Sequence, residues 1–315
     1  MKSYRVGLIL FIVLFLLLLM IGHSFVEGEP SSIVRNSATM TAPYETGNAD
    51  NGESDGRRDA QADSAYNTAQ GLAYASAFAS KASNAWAYSC LQAAFEIIHS
   101  SNYRITFSFN YKGLINITGV DPSSYSTANA RVNLTAYLIR RDGGEIIYQK
   151  TETIADVTEN FAQIIIGEKD IAFTIALEEN NIYDWRAELR TEASANNYFV
   201  DTAQATADFY DTNQGYQAKI VQVLVEDLNP DYNPPTTTYS PSGTQGENDW
   251  FTSSVTISLS ATDDIYGVDY INQRVNGGSW THYTSPFSIT SEGTNTVDFY
   301  SVDKAGNTEN IQSVN

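Results

Sequence analysis

Strict alternation of apolar and polar side chains is the feature of this 315-residue chain that most restricts its fold. Between residues 103 and 111, apolar or aromatic residues occupy every second position, with Arg, Thr, Ser and Asn between them. Successive side chains of a β-strand point to opposite faces, so this pattern predicts a strand with one buried face. Further strands are predicted at residues 132–138, 171–177, 185–192 and 220–225. Many short strands with turn residues between them predict an all-β chain built from β-sandwiches.

Two sandwich domains are predicted from the places where turn and proline residues interrupt the strand patterns. Residues 65–228 are predicted to form a larger, jelly-roll-like sandwich, and residues 236–315 a smaller Ig-like one. Residues 229–235 contain three prolines and are predicted to be a stiff linker, because proline fixes φ and restricts its predecessor. The alanine-rich alternation over residues 66–98 fits either a strand or a helix, and strands are favoured.

The N-terminus carries an export pattern. Lys2 and Arg5 precede an apolar run over residues 6–21, which is typical of a secretory signal. Residues 1–28 are therefore predicted to be a signal peptide or an N-terminal anchor, with cleavage favoured. If the segment is not cleaved, membrane contact is expected through residues 6–22 only. In both cases the rest of the chain is predicted to be extracellular, at the cell surface or secreted.

Residues 29–64 contain few aliphatic residues and many Ser, Asn, Asp, Gly and Ala. A segment of this composition has little apolar area to offset the entropy of ordering it. It is predicted to be a disordered spacer between the export signal and the first domain.

The net charge of −19 excludes one class of partner. Nucleic-acid binding requires a basic patch, and an acidic chain repels phosphates. The partners expected are envelope components, glycans or other surface proteins. An acidic surface also attracts cations.

The C-terminal residues 234–309 carry turn and strand residues in a recognisable order. These are Pro234-Pro235-Thr236, Trp250, Ala261-Thr262-Asp263, Gly267-Val268, Asn276-Gly277-Gly278, Trp280, Pro286-Phe287, and Asp303 to Asn307. The order resembles the OmpL-type β-barrel domain, a surface repeat of bacterial and archaeal extracellular proteins whose length suits an Ig-like sandwich. Asn276 stands where an Asp is usual, and Gln273 where an aromatic is usual. The resemblance implies a cell-surface or secreted setting and no enzymatic activity shared by the family.

No catalytic residues are predicted. The histidines are His23, His99 and His282, and none pairs with a Ser or Cys in a nucleophile motif. Their spacing from cysteine does not suit zinc either. Cys90 is the only cysteine and lies in an apolar stretch, which favours a buried, inert thiol, with an intermolecular disulfide as the alternative. No organic cofactor is expected.

Calcium is the one metal for which the sequence offers candidate ligands. Asp263, Asp264, Asp303 and Asn307 supply hard oxygen ligands in loops at strand ends of the small domain. The alternative is that these residues only form and cap turns.

Two further sets of residues are candidates for glycan chemistry. Asn116 and Asn133 begin Asn-x-Thr sequons and are predicted N-glycosylation sites in a host with that machinery. The four tryptophans could be core residues or platforms on which sugars stack: Trp86, Trp185, Trp250 and Trp280. A row of aromatics on one sandwich face would favour sugar binding.

The function predicted from these observations is that of an exported, non-enzymatic cell-surface protein with a role in structural display or adhesion. One alternative is a carbohydrate-binding module. Another is a non-catalytic fragment of a larger extracellular enzyme. Sandwich folds host many functions, so the fold alone does not separate these three.

Overall fold

The structure is a computed structural model. It describes residues 32–42, 44, 46–55, 60–80, 83–121, 126–196, 203–248 and 250–315. The predicted signal or anchor over residues 1–28 lies outside the described residues. No helix in the described part of the chain is long and apolar enough to span a membrane.

Strands make up nearly all of the regular structure, as predicted. They are β1 (Ser32–Val34), β2 (Ser37–Met40), β3 (Thr46–Asp55), β4 (Ala60–Asn67), β5 (Leu72–Ser80), β6 (Ser83–Ile97), β7 (Ser101–Thr118), β8 (Thr127–Arg140), β9 (Glu145–Val157), β10 (Phe161–Leu177), β11 (Asn181–Asn196), β12 (Gln204–Phe209), β13 (Gln217–Asp227), β14 (Thr236–Ser242), β15 (Val255–Thr262), β16 (Val268–Val275), β17 (Thr281–His282), β18 (Phe287–Ile289), β19 (Val297–Asp303) and β20 (Gln312–Val314). The strand prediction for residues 66–98 is confirmed by β5 and β6.

The larger sandwich contains β1 to β13 in two sheets. Sheet A has the order β1-β6-β11-β8-β9, with β3 also pairing with β6. Sheet B has the order β10-β7-β12-β5-β13-β2, with β4 pairing with β5. Strand β7 is long enough that β12 and β13 share one of its edges while β10 covers the other. The chain crosses repeatedly between the two sheets.

Alternation places one face of each central strand in a shared core. Trp185 of β11 has no exposed surface and packs edge-on against Tyr44 and Phe107, with ring centroids 5.0 and 5.9 Å away. Its indole N–H lies 3.2 Å from the sulfur of Met40. The N-terminal segment therefore contributes to the centre of the core, and Trp185 is a core tryptophan.

The prediction of a disordered spacer over residues 29–64 is wrong for the described residues. Strands β1 and β3 pair with β6, β2 pairs with β13, and β4 pairs with β5. The compositional argument counted buried side-chain area, but edge strands are also held by backbone hydrogen bonds to strands that are already in place. Val34 and Met40 add buried apolar contacts. The larger sandwich thus includes described residues from Ser32 onward, N-terminal to the predicted boundary at residue 65.

The smaller sandwich has a three-stranded sheet, β14-β15-β18, facing a four-stranded sheet, β17-β16-β19-β20. Its core consists of Ile257, Leu259, Val297 and Phe299. Asn276 and the glycine after it have φ of 51° and 70°, so the tight turn predicted at Asn-Gly is confirmed. The predicted two-sandwich, all-β architecture with an Ig-like second domain is confirmed.

The segment predicted as a stiff linker is packed between the two sandwiches. Asp231 is fully buried, and its backbone exchanges two hydrogen bonds with the side chain of Asn36, at 2.7 and 2.9 Å. Tyr266 of the small sandwich stacks on His99 of the large one, with ring centroids 4.1 Å apart. The linker is therefore part of a built junction between the two sandwiches.

Candidate functional site

Three carboxylates meet at the junction between the sandwiches. Asp231 comes from the connecting segment, and Asp263 and Asp264 follow the end of β15. Each offers one oxygen, and these oxygens all lie within 4.8 Å of one another. Because calcium–oxygen bonds are about 2.3–2.6 Å long, oxygens at this spacing are close enough to share one ion.

Hydrogen bonds hold the carboxylates in place. The Asp231 oxygens accept backbone N–H bonds from Asn233 and Tyr266, and Asp264 accepts a bond from the Asn233 amide. One oxygen of Asp263 accepts two backbone N–H bonds, whereas its other oxygen is buried with no hydrogen-bond partner. Burial, followed by the neighbouring negative charges, raises the pKa of Asp231. The cluster concentrates negative charge that a cation would offset.

Asp303 and Asn307 lie in the turn at the end of β19, beside the cluster, and the Asn307 amide also donates to the backbone carbonyl of Asp231 at 3.2 Å. The Asp303 carboxylate accepts backbone N–H bonds from Gly306 and Asn307, at 2.6 and 2.8 Å, and a third bond from the Asn307 amide. Forming and capping a turn is the role that the sequence allowed for these residues as the alternative to calcium binding. Of the four predicted calcium ligands, the structure brings together Asp263 and Asp264, with Asp231 as a third partner that the sequence argument missed.

A second cluster lies on the outer face of sheet A. It consists of two cross-strand rows that run over β3, β6, β11, β8 and β9. The first row is Asp50, Tyr88, Arg190, Asn133 and Thr153, and the second is Gly52, Trp86, Glu192, Arg131 and Asp156. We call these ten residues the sheet A platform.

The two aromatic rings of the sheet A platform are parallel. The rings of Trp86 and Tyr88 are 7° from parallel, with centroids 6.2 Å apart. This separation is close to the rise of about 6.6 Å over two strand residues, as expected for side chains two positions apart on one face of β6. A Cβ atom added at Gly52 would lie 2.6 Å from the Trp86 ring. The missing side chain therefore lets this ring lie across the neighbouring strand.

The polar part of the platform is internally paired. Arg190 bonds to Glu192 at 2.7 Å, and Arg131 bonds to Asp156 at 2.8 Å. The Arg190 guanidinium also lies 5.3 Å from the centre of the Trp86 ring. These pairs fix charged groups of both signs beside the rings.

Buried charges support the platform. Arg186 lies over the ring of Tyr137 at 4.0 Å, and both Arg186 and Glu188 are almost fully buried. Burial raises the pKa of Glu188, and the positive charges of Arg186 and Arg190 act against that rise. Removing one member would leave an uncompensated buried charge, so the group holds β11 in a defined arrangement.

Cys90 is a free and buried thiol, as predicted. Burial raises its pKa to about 12, so it is not ionised at neutral pH. His99 packs on Tyr266, and the ring of His282 lies 4.7 Å from that of Tyr270.

The two sequons lie within strands. Asn116 and Asn133 are half-buried on outer sheet faces, and the side-chain amide oxygen of Asn133 accepts a hydrogen bond from the Thr153 hydroxyl at 2.8 Å. Thr135, in the second sequon, is buried. Glycosylation at Asn116 and Asn133 stays a prediction.

The remaining tryptophans differ in environment. Trp250 is 57% exposed in a loop of the small sandwich. Trp280 packs edge-on against Tyr300 and under the guanidinium of Arg274. Trp86 is the tryptophan that belongs to a row of aromatic and polar side chains on one sandwich face.

Both clusters were only partly visible in the sequence. Asp231 sits between two prolines of the predicted linker, and no local pattern connects it to Asp263. The alternation over residues 86–88 and 190–192 assigns side chains to one face of each strand, but the pairing of β6 with β11 is a tertiary fact. A count of aromatic and charged residues on outward positions would have been the available signal for the platform.

No protein-family model and no curated protein matches this chain. Among solved structures, the chain is similar to the glycoside hydrolase domain of Endo-D from Streptococcus pneumoniae R6, with 11% identity, a TM-score of 0.24, and coverage of 84% of this chain and 36% of that chain. It is also similar to the adhesin domain of Epf from Streptococcus pyogenes, with 11% identity, a TM-score of 0.25, and coverage of 84% and 90%. Likenesses this weak determine neither a family nor a function. The resemblance to the OmpL-type domain stays a prediction.

Proposed function

We propose that this chain is an exported, non-enzymatic protein of the cell surface that acts in adhesion or structural display. The observation that carries the proposal is the built junction between the sandwiches. Hydrogen bonds from the Asn36 amide to the Asp231 carbonyl and from the Tyr266 hydroxyl to the Asp227 carboxylate tie the connecting segment and the small sandwich to the large one. Such a joint keeps two domains in a fixed orientation, which a display or adhesion protein needs in order to present a binding face away from its attachment point.

Three further observations support a binding role over catalysis. The Cys90 thiol is buried and protonated, which makes it a poor nucleophile. His99 and His282 each pack on a tyrosine ring. The sheet A platform extends over five strands on one face of a sheet, whereas catalytic and small-molecule sites are typically enclosed and concave.

Cell fractionation and a binding assay together test the proposal. Intact cells expressing the full chain are treated with protease. Degradation of the protein while cytosolic marker proteins stay intact shows that the protein is exposed at the surface. Purified protein starting at residue 29 is then labelled and added to isolated envelopes of the same cells. Saturable binding to the envelopes is the expected result. A chain confined to the cytosol, or a surface chain that binds no envelope fraction, would contradict the proposal.

A further inference from the structure

We propose that Thr237 and Gln312 react with each other to form an ester bond that joins β14 and β20, the first and last described strands of the small sandwich. The proposal goes beyond the adhesion function and does not depend on it. It starts from one juxtaposition: a buried hydroxyl and a side-chain amide are hydrogen-bonded to the same carboxylate, that of Glu309. This arrangement holds a nucleophile, a base and an acyl group in one cluster.

The hydroxyl of Thr237 lies on the inward face of β14, where alternation would place a core residue. Thr237 is 3% exposed, and its Oγ1 lies 2.8 Å from the hydroxyl of Ser301, a residue of β19 with no exposed surface. Buried hydroxyls cost free energy unless they are hydrogen-bonded. Here both hydroxyls bond to the carboxylate of Glu309 between the two sheets.

Glu309 is bonded to both reacting groups at once. Its Oε2 accepts a hydrogen bond from the Thr237 hydroxyl at 2.6 Å, and its Oε1 accepts one from the Gln312 amide at 2.5 Å. Burial raises the pKa of Glu309, but hydrogen bonds from Thr237, Gln312 and Ser301 outweigh burial and hold the pKa below its ordinary value. The carboxylate is therefore ionised at neutral pH, as a proton acceptor must be.

The amide of Gln312 is held against Thr237. Its nitrogen also donates to the backbone carbonyl of Thr237 at 3.0 Å, so two hydrogen bonds fix the amide beside the hydroxyl. Gln312 is half-buried, and rotation about its side-chain bonds brings the amide carbon towards Oγ1. Groups held together in this way react as if at very high concentration, which lets a weak nucleophile combine with an unreactive amide.

The reaction exchanges an amide for an ester. Oγ1 of Thr237 attacks Cδ of Gln312, and the hydroxyl proton passes to Glu309. The Cδ–Nε2 bond then breaks, Glu309 gives the proton to the nitrogen, and the nitrogen leaves as ammonia. Glu309 ends as the carboxylate that it was, no oxidant or co-reactant is needed, and escape of ammonia into the solvent drives the exchange forward. Until the bond forms, the same groups act only as hydrogen-bond partners.

A covalent cross-link suits the make-up of the small sandwich. Its core consists of four buried apolar side chains, and the one cysteine of the chain, Cys90, lies in the large sandwich. Small domains with small cores commonly depend on cross-links for stability. Thr237 and Gln312 are 75 positions apart, so a bond between them closes a long loop and restricts the unfolded chain strongly. The buried surroundings also keep water away from the ester.

Peptide mapping of the full chain tests the proposal. The purified protein is denatured, digested with trypsin and analysed by mass spectrometry. Without the bond, Thr237 lies in the peptide 220–274 and Gln312 in the peptide 305–315. We expect the two peptides to be joined, with a mass below their sum by one molecule of ammonia, about 17 Da. Hydroxylamine, which cleaves esters, should separate them. Two separate peptides at their unmodified masses would overturn the proposal.

Two neighbouring threonines provide a matched pair of substitutions. Thr237→Val keeps the shape of the side chain and removes the hydroxyl, so the joined peptide should disappear. Thr238→Val is the control, because Thr238 is exposed and its hydroxyl bonds to the backbone carbonyl of Ser260, so the joined peptide should persist. A joined peptide in Thr237→Val protein would overturn the assignment, and so would a bond from the peptide 275–304, which carries Ser301.

Glu309→Gln tests the proton transfer. Glutamine keeps a hydrogen-bonding oxygen but does not take up the proton, so the joined fraction should fall about tenfold or more. Circular dichroism establishes that each variant is folded, and the wild-type peptide map decides without any substitution. Complete joining in folded Glu309→Gln protein would show that Glu309 does not carry the proton. The envelope assay decides adhesion separately, so a missing bond leaves the proposed function standing.

Discussion

The hydroxyl of Tyr266 in the small sandwich donates a hydrogen bond to the carboxylate of Asp227, the last residue of β13 in the large sandwich, at 2.5 Å. Burial, together with the negative charge of Asp227, raises the pKa of Tyr266, so the hydroxyl keeps its proton. The other carboxylate oxygen of Asp227 accepts the backbone N–H of Asn229 at 2.8 Å. The buried carboxylate of Asp227 thus accepts one hydrogen bond from the small sandwich and one from the connecting segment. The stability of each sandwich therefore depends in part on the other.

Replacing Tyr266 by Phe is expected to weaken the junction. The substitution removes a hydrogen bond to a buried charged group, which costs about 1.5–3 kcal/mol of unfolding free energy. Urea unfolding of the full chain, followed by tryptophan fluorescence, should show a lower midpoint. Tyr232→Phe is the control, because Tyr232 is 73% exposed. Equal midpoints for the two variants would show that the Tyr266 hydroxyl does not stabilise the joint.

Asp231 is expected to make the protein less stable as the pH rises. Its pKa is raised in the folded state by burial and then by the charges of Asp263 and Asp303. The stability that it contributes is therefore fully present below the ordinary aspartate pKa, near 4, and is lost as the pH rises through the higher folded value. Asp231→Asn removes this ionisation. Calorimetry at several pH values gives the melting temperature of Asp231→Asn minus that of the wild type. This difference should become more positive as the pH rises from 4 to 7. A difference that does not change with pH would contradict the prediction.

Glu309 is expected to show the opposite pH dependence. Burial raises its pKa, but hydrogen bonds from Thr237, Gln312 and Ser301 outweigh this and hold it below the ordinary value. Its contribution is present above the unfolded pKa and is lost as the pH falls through the lower folded value. The carboxylate joins β14 to β19 through Thr237 and Ser301, so Glu309→Gln should destabilise the small sandwich at neutral pH by about 1–3 kcal/mol. The deficit should shrink in acid. A deficit of constant size down to pH 3 would rule out this role for the charge.

Calcium binding stays a prediction from the sequence, and the structure now specifies which residues test it. The full chain is melted in calcium, in magnesium and in chelator at matched ionic strength. At a calcium concentration a hundredfold above the dissociation constant, a bound ion would stabilise the fold by about 2.7 kcal/mol. Asp263→Asn should abolish a calcium-specific rise, whereas Glu247→Gln, an exposed carboxylate elsewhere, should leave it unchanged. Asp303 is unsuitable for this test because it caps a turn. Identical melts in all three solutions would show that the carboxylates only bond to the backbone around them.

Local patterns in the sequence determined the strands, their buried faces and the division into two sandwiches. Side chains at positions such as Phe107 and Trp185 must lie inward because alternation leaves no other way to bury them. The Asn276-Gly277 turn was also predictable from the sequence, since only a few residue types accept positive φ. These features depend on neighbours within a few residues.

The tertiary structure alone decided the N-terminal edge strands, the junction and the composition of both clusters. Residues 32–64 have no apolar pattern of their own. Strands β1 to β4 form there because sheets built by later residues offer them open backbone edges. Asp231 meets Asp263, and Trp86 meets Glu192, only after sheet pairing and domain packing have brought distant residues together. Alternation fixes which face a side chain occupies but not which strand lies beside it, because register and strand order depend on the packing of the whole chain.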